Sequence, residues 1–256
     1  MRGRFGFAFM TDERILVMKI FANIPQGIKI LNALKIFKKP RKLIYEARDR
    51  GDFETERKYI LESTSTWGKL LCDKLGVEIE VTGRENLPAA GPVVYVSNHQ
   101  SYADIIVHCA VLDTVQFGFV AKQSLADIPL YGQCIKDIRS VMMNRDEPRE
   151  ALKAIMEAID LIQKDFSILI FPEGTRSKGH EMAHFKRGSL RLATKPGVPV
   201  IPITIDGTYK IYEETGVIRP AKVRYIIHKP IETTGMDKKE ASDLAERTEE
   251  IVRSVL

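Results

Sequence analysis

Three cysteines are few for 256 residues, and Cys72, Cys109 and Cys134 form no Cys-x-x-Cys pair. An odd number excludes full disulfide pairing, so buried, reduced thiols of a cytosolic compartment are expected. No pair of histidines or cysteines has structural-zinc spacing, and no metal is expected. Long uncharged apolar runs are missing too. Apolar residues dominate from Ile15 to Phe37, but Lys19, Lys29 and Lys35 interrupt them and Pro25-Gln26-Gly27 stands in the middle. No window reaches the roughly 18 uncharged residues that a spanning helix requires. No Gly-x-Gly-x-x-Gly follows a strand-like run, which removes the usual signal for a dinucleotide. Met1 to Met10 carries Arg2, Arg4, Phe5, Phe7 and Phe9 but no small-residue cleavage site, so a secretory leader is not expected. Internal repeats and low-complexity tracts are absent. The one tryptophan, Trp67, reads as a packing anchor.

The composition that is present, 44% hydrophobic and 29% charged, is ordinary for a globular chain. Its charge is unevenly spread. Residues 1–45 hold ten Lys or Arg against Asp12 and Glu13, a net +8, which leaves the rest at −3 within a total of +5. The chain therefore divides into a basic helical arm, 1–70, and an α/β domain, 71–256. The arm reads as two amphipathic helices, about 12–23 and 27–38, bent at Pro25-Gln26-Gly27. Ile28, Leu31, Leu34, Ile36 and Phe37 fall near one face, with Lys29, Lys35, Lys38 and Lys39 beside them. Apolar residues flanked by lysines suit the interface of an anionic membrane, and a peripheral, monotopic association at the cytoplasmic face is expected. The alternative is a hairpin packed on the chain's own core. Nucleic acid is not expected, because the lysines alternate with Ile, Leu and Phe rather than with polar and stacking residues.

Beyond the arm, strand-like and helix-like segments alternate. Val77–Gly83, Pro92–Val96, Gln116–Lys122, Val141–Met143, Ser167–Phe171, Pro199–Asp206 and Lys222–His228 read as strands. Glu147–Lys164, with Pro148 in its first turn, and Asp237–Leu256, with Asp237 as cap, read as helices. The expected fold class is α/β: a mostly parallel mixed sheet flanked by helices, preceded by the amphipathic two-helix motif.

Ser97-Asn98-His99-Gln100-Ser101-Tyr102-Ala103-Asp104 follows the buried-strand pattern of Pro92–Val96 and precedes an apolar helix or second strand, Ile105–Leu112. Polar residues at that junction lie at the carboxyl end of a sheet, where open α/β sheets bind ligands. Positions i and i+5 diverge in a helix. With His99 in the turn and Asp104 one turn into the helix, the carboxylate can reach back, fix the imidazole tautomer and leave Nε2 to accept a proton. The plainer alternative is a turn cap with Asp104 on a helix surface. A second strand end runs into Phe171-Pro172-Glu173-Gly174-Thr175-Arg176-Ser177.

Together the two stretches resemble the glycerophospholipid acyltransferase family, whose best-known members are 1-acylglycerol-3-phosphate acyltransferases. The first block, Asn-His-x-x-x-x-Asp, is matched by Asn98, His99 and Asp104, and Phe-Pro-Glu-Gly-Thr-Arg-Ser by all seven residues from Phe171 to Ser177. Ser140–Arg145 resembles another block, without its usual Gly and aromatic, and Val198–Ile203 resembles the last.

The resemblance implies transfer of an acyl chain from a thioester of coenzyme A or acyl-carrier protein to the sn-2 hydroxyl of a lysophosphatidic acid, with no cofactor and no covalent intermediate. His99 would be the general base, a role typically worth about 10²–10⁴-fold, and Asp104 would orient it. Arg176, Arg145 and Lys122 would meet the phosphate. Gly174 would let the loop approach the ligand, and Thr175 and Ser177 would donate to phosphate or acceptor. Glu173 would orient an arginine or bond a glycerol hydroxyl. For Arg145 the alternative is pairing with Asp146 or Asp137, and for Lys122 it is a solvated surface lysine. His108 reads as a core histidine. His180 and His184 flank a loop, Lys178–Lys186, that would cap the site or touch the donor. Other acceptors (glycerol-3-phosphate, another lysolipid) and an idle lipid-binding protein are the competing readings.

Overall fold

Strands that are apolar at most successive positions, rather than at alternate ones, are buried on both faces, and three such strands form the centre of this molecule. The computed structural model describes residues 12–144 and 147–256, so the Arg- and Phe-bearing first ten residues and Arg145 lie outside the described residues. Three helices come first: α1 (Asp12–Ala33), α2 (Lys38–Asp49) and α3 (Phe53–Leu75). They are followed by β1 (Val77–Thr82), β2 (Val94–Ser97), α4 (Asp104–Val111), β3 (Phe117–Lys122), α5 (Tyr131–Asp137) and β4 (Val141–Met143). The remainder is α6 (Pro148–Ile162), β5 (Ser167–Ile170), α7 (Arg191–Thr194), β6 (Val200–Asp206), β7 (Ala221–Ile227) and α8 (Lys238–Arg253), the last opened by a capping box between Asp237 and Glu240.

The strands make one sheet in the order β1-β7-β6-β2-β5-β3-β4. Every neighbouring pair is parallel except β6–β7, so this is the expected mostly parallel mixed sheet. Strands β2 and β5 are buried at every position and β6 at all but its last, whereas edge strand β1 alternates. Because β6, β2 and β5 are adjacent and parallel, the loops that leave them emerge side by side at one end of the sheet. These loops start at Gly207, Asn98 and Phe171.

The amino-terminal helices differ from the expected pair. Helix α1 runs unbroken through Pro25 and Gly27, and the break comes later, in a 3₁₀ turn at Leu34–Phe37. A proline removes one hydrogen bond, and here tertiary contacts hold the helix on either side of it. The Asn23 side chain donates to Gly216 O (2.8 Å) and accepts from Ile218 N (2.8 Å). Lys29 Nζ donates to Lys74 O (2.9 Å).

The single apolar face read from the sequence also divides. Leu34 and Phe37 are buried in the core, Phe37 against Trp67, while Ile28 and Leu31 are exposed with Met18, Ile20, Phe21 and Ile24. Residue 70, where the arm was expected to end, falls inside α3, whose Ile60, Trp67 and Leu71 belong to the same core as the sheet. Buried Glu56 of α3 joins the helices by accepting from Arg48 (2.8 Å) and, through both oxygens, from Arg139 (2.7 and 2.9 Å). No described helix is long and apolar enough to cross a membrane.

Candidate active site

Beyond the end of β2, Asn98 continues the strand's pairing with its side chain. Its Oδ1 accepts from Ile205 N (2.9 Å) and its Nδ2 donates to Ile205 O (2.8 Å), which copies a backbone ladder onto β6. The next residue, His99, is thereby fixed at the sheet's carboxyl end. Asp104 is the first residue of α4, not one turn in, and its buried carboxylate turns back over the intervening loop. Oδ2 stands 2.7 Å from His99 Nδ1 and also accepts from the amides of Gln100 (2.7 Å) and Ser101 (3.0 Å). Oδ1 accepts from the Thr208 hydroxyl. An acceptor on Nδ1 selects the Nδ1–H tautomer and leaves Nε2 with its lone pair. Nε2 has no hydrogen-bond partner among the described residues, and His99 lines a cavity.

The loop after β5 braces the same histidine from the other side. The Phe171 ring stacks on the imidazole, centroids 4.0 Å apart at 17°. His99 N donates to Glu173 Oε1 (2.6 Å), and Ser177 N donates to His99 O (2.8 Å). The other oxygen of Glu173 accepts from Ala183 N (2.7 Å). Burial pushes the Glu173 carboxyl up, against the pull of these two amides. Among the described residues Glu173 therefore holds backbone rather than the arginine that was one of its two expected partners: the carboxylate is buried, and each oxygen accepts from an amide. The Ser177 hydroxyl is likewise turned to Gly179 O (2.9 Å), within its own loop. Gly174 has φ +76°, and a Cβ there would stand 2.6 Å from Lys186 Nζ, so glycine admits both the turn and the lysine stem.

Arg176, Thr175 and Lys122 line the cavity with His99. Arg176 lies over the Tyr102 ring, 3.4 Å from its centroid, and donates from Nη1 to Glu213 (2.8 Å). Lys122 is exposed at the end of β3. Arg145 and Asp146 lie outside the described residues; Asp137, weighed as a partner of Arg145, meets Arg41 (2.5 Å), Tyr45 (3.1 Å) and Gln133 (2.9 Å).

The cavity, about 510 Å³, runs inward from this polar rim, with Ile30, Leu34 and Phe37 from the amino-terminal segment and Trp67, Ile105, Tyr131 and Ile135 among its walls. Cys109 and Cys134 also line it; all three cysteines are free and buried, and burial raises each thiol's pKa.

His108 is a core residue, as its setting in the sequence suggests. Its Nδ1 meets Tyr225 OH at 2.7 Å while Nε2 has no partner among the described residues, and burial lowers its pKa to about 3. His180 pairs with Asp206 (3.0 Å) and His184 with Glu249 (2.8 Å), both outside the cavity lining. No three His, Cys, Asp or Glu side chains among the described residues converge as a metal site.

Sequence reasoning missed Thr208 and Glu213. Both stand on the segment after β6, and no spacing signal links them to His99 or Arg176.

A histidine held by a buried carboxylate thus stands at the mouth of an apolar cavity, at the carboxyl end of a mostly parallel sheet. Comparisons with known proteins give the class. The acyltransferase family model matches residues 78–206, half of the chain. A chloroplast 1-acyl-sn-glycerol-3-phosphate acyltransferase of Brassica napus is 39% identical over 155 residues, 59% of this chain and 44% of that one. An enzyme of the same description from Borreliella burgdorferi is 31% identical over 170 residues, 66% of this chain and 68% of that one. The crystal structure of the 1-acyl-sn-glycerophosphate acyltransferase PlsC of Thermotoga maritima superposes with a TM-score of 0.75 at 30% identity, covering 96% of each chain. This chain belongs to the acyltransferase family. It spans about half the length of the plant and algal relatives it matches.

Proposed function

We propose that the protein transfers an acyl chain from an acyl thioester to the sn-2 hydroxyl of 1-acylglycerol-3-phosphate, giving phosphatidic acid. One observation carries this: the His99–Asp104 pair, 2.7 Å apart, opens with Arg176 onto a single apolar cavity of about 510 Å³. That combination suits a molecule with a hydroxyl, an anionic group and an acyl chain. As the hydroxyl oxygen attacks the thioester carbonyl, His99 Nε2 takes its proton. The tetrahedral adduct then expels the thiolate, which takes the proton back from the imidazolium. A thioester is already activated, so no covalent enzyme intermediate is needed. The named relatives act, by their descriptions, on 1-acyl-sn-glycerol-3-phosphate, which supports the acceptor.

The donor is a thioester of coenzyme A or of acyl-carrier protein, and it is a substrate; no cofactor enters the scheme. The exposed face of α1, with Met18, Phe21, Ile24 and Ile28 standing out and Lys35, Lys38, Lys39 and Lys42 exposed just after it, rests on an anionic membrane surface at its cytoplasmic face. The test is acyl transfer from a radiolabelled palmitoyl thioester in detergent micelles, to 1-acylglycerol-3-phosphate and, separately, to 1-acylglycerol. Phosphatidic acid should form with wild type, and Arg176→Ala should demand much more of the phosphate-bearing acceptor. Acylation of 1-acylglycerol alone would move the substrate and remove Arg176 from its role.

A further inference from the structure

Glu213 is a carboxylate only 3% exposed, placed where an anionic substrate is expected to bind. On charge alone it weakens such a site, so its presence requires a geometric reason. Its contacts supply one. Oε1 accepts from Arg176 Nη1 (2.8 Å) and from Tyr102 N (3.1 Å), and Oε2 accepts from the Ser101 hydroxyl (2.5 Å). One carboxylate thus ties the loop that carries His99 to the loop that carries Arg176. The Tyr102 ring, 3.4 Å beneath the guanidinium, fixes the plane of Arg176, and Glu213 fixes its direction within that plane. A guanidinium has five N–H groups in a rigid fork. One is committed to Glu213, and Arg176 has no other hydrogen-bond partner among the described residues. An arginine free to sample its rotamers would have to be ordered by the ligand, at a cost to affinity; this one is ordered beforehand.

The segment that brings Glu213 here also reaches the catalytic pair, through the Thr208 hydroxyl on Asp104. It leaves β6 at Gly207, where φ is +104° and a Cβ would stand 2.5 Å from Lys222 O, so only glycine sets its course.

We propose that Glu213 is a positioning residue for the acceptor's phosphate: it holds Arg176 in the orientation that receives the anion and locks that arginine in register with His99. The proposal rests on the phosphate-bearing acceptor proposed above. Glu213→Ala should raise the acceptor KM by about 10- to 100-fold, the size of one hydrogen bond between charged groups, and change kcat far less. Glu213→Gln should recover most of that loss, because an amide oxygen still accepts from the guanidinium. In an Arg176→Ala background, Glu213→Ala should leave the acceptor KM unchanged, since there is nothing left to position. A loss of equal size in that background, or a Glu213→Gln variant as impaired as Glu213→Ala, overturns the proposal.

A binding measurement without turnover separates this outcome from failure of the wider reading. The melting temperature is followed in micelles of 1-acylglycerol-3-phosphate and of 1-acylglycerol. Wild type should be stabilised more by the first, and Glu213→Ala should lose that preference. No preference in wild type removes the phosphate site and the proposal together; a preference that Glu213→Ala retains removes the proposal alone.

Discussion

Glu56 and Asp104 are both fully buried carboxylates, and they are matched in opposite ways. Glu56 is surrounded by two guanidinium groups, Arg48 and Arg139, so its charge is neutralised in the resting fold. Asp104 receives two backbone amides, a threonine hydroxyl and an imidazole, with no arginine or lysine among its described partners. In the proposed mechanism the difference separates a structural charge from a functional one. A carboxylate already paired has nothing further to gain when a proton moves nearby. Asp104, held in place by neutral donors, would acquire a full ion pair only when His99 takes the hydroxyl proton. Its stabilising effect would then be largest in the transition state, where it speeds the reaction.

That contrast sets four expectations, from the largest effect downward. Asp104→Asn keeps the shape but loses the charge and the tautomer control, so kcat should fall about 10³–10⁴-fold while the melting temperature changes little. Glu56→Gln should do the reverse. Two partly buried arginines lose their partner, stability should drop by about 3 kcal/mol, and a scan should show a melting temperature roughly 6–12 °C lower, with turnover per folded molecule unchanged.

The third concerns His108, which burial holds neutral with a pKa of about 3 against 6.5 in the unfolded chain. As pH falls through 6.5 the unfolded state takes up the proton first. The associated stability is fully present above that pH and declines toward pH 3, by about 2 kcal/mol at pH 5. His108→Gln should flatten the loss of melting temperature between pH 7 and pH 5, whatever its starting value; an unchanged slope would show that other groups set it. Last, Thr208→Val removes one neutral donor from Asp104 and should lower kcat about tenfold, measured in the same micellar assay. A valine as damaging as Asp104→Asn would mean that the carboxylate's placement, not its charge, carries the effect.

Much of this was legible in the chain. The β-branched runs at Val94 and Ile168 gave buried central strands, and a strand ending at Ser97 gave the crevice. The reach of Asp104 back to His99 followed from placing one in a turn and the other on a helix. What the sequence does not show is what depends on distant pairing. Glu213 lies 112 residues from Ser101 and 37 from Arg176, and no local periodicity joins them. Pro25 looked like a break because propensity is local, whereas Asn23 and Lys29 anchor the helix through residues around 216–218 and 74. Glu173 and Ser177 sit in a fully matched block. Their partners turn out to be the backbone of the His99 loop and of their own, so the block braces the histidine as well as presenting Arg176.

The most direct test of the account is the rate of phosphatidic acid formation by His99→Ala, at saturating thioester and acceptor, beside wild type whose melting temperature it matches. The account predicts a loss of at least about 10²-fold in kcat, the lower bound for removing a general base, with the acceptor KM little changed. Turnover that survives His99→Ala undiminished would contradict it, because no other histidine, aspartate or glutamate lines the cavity among the described residues.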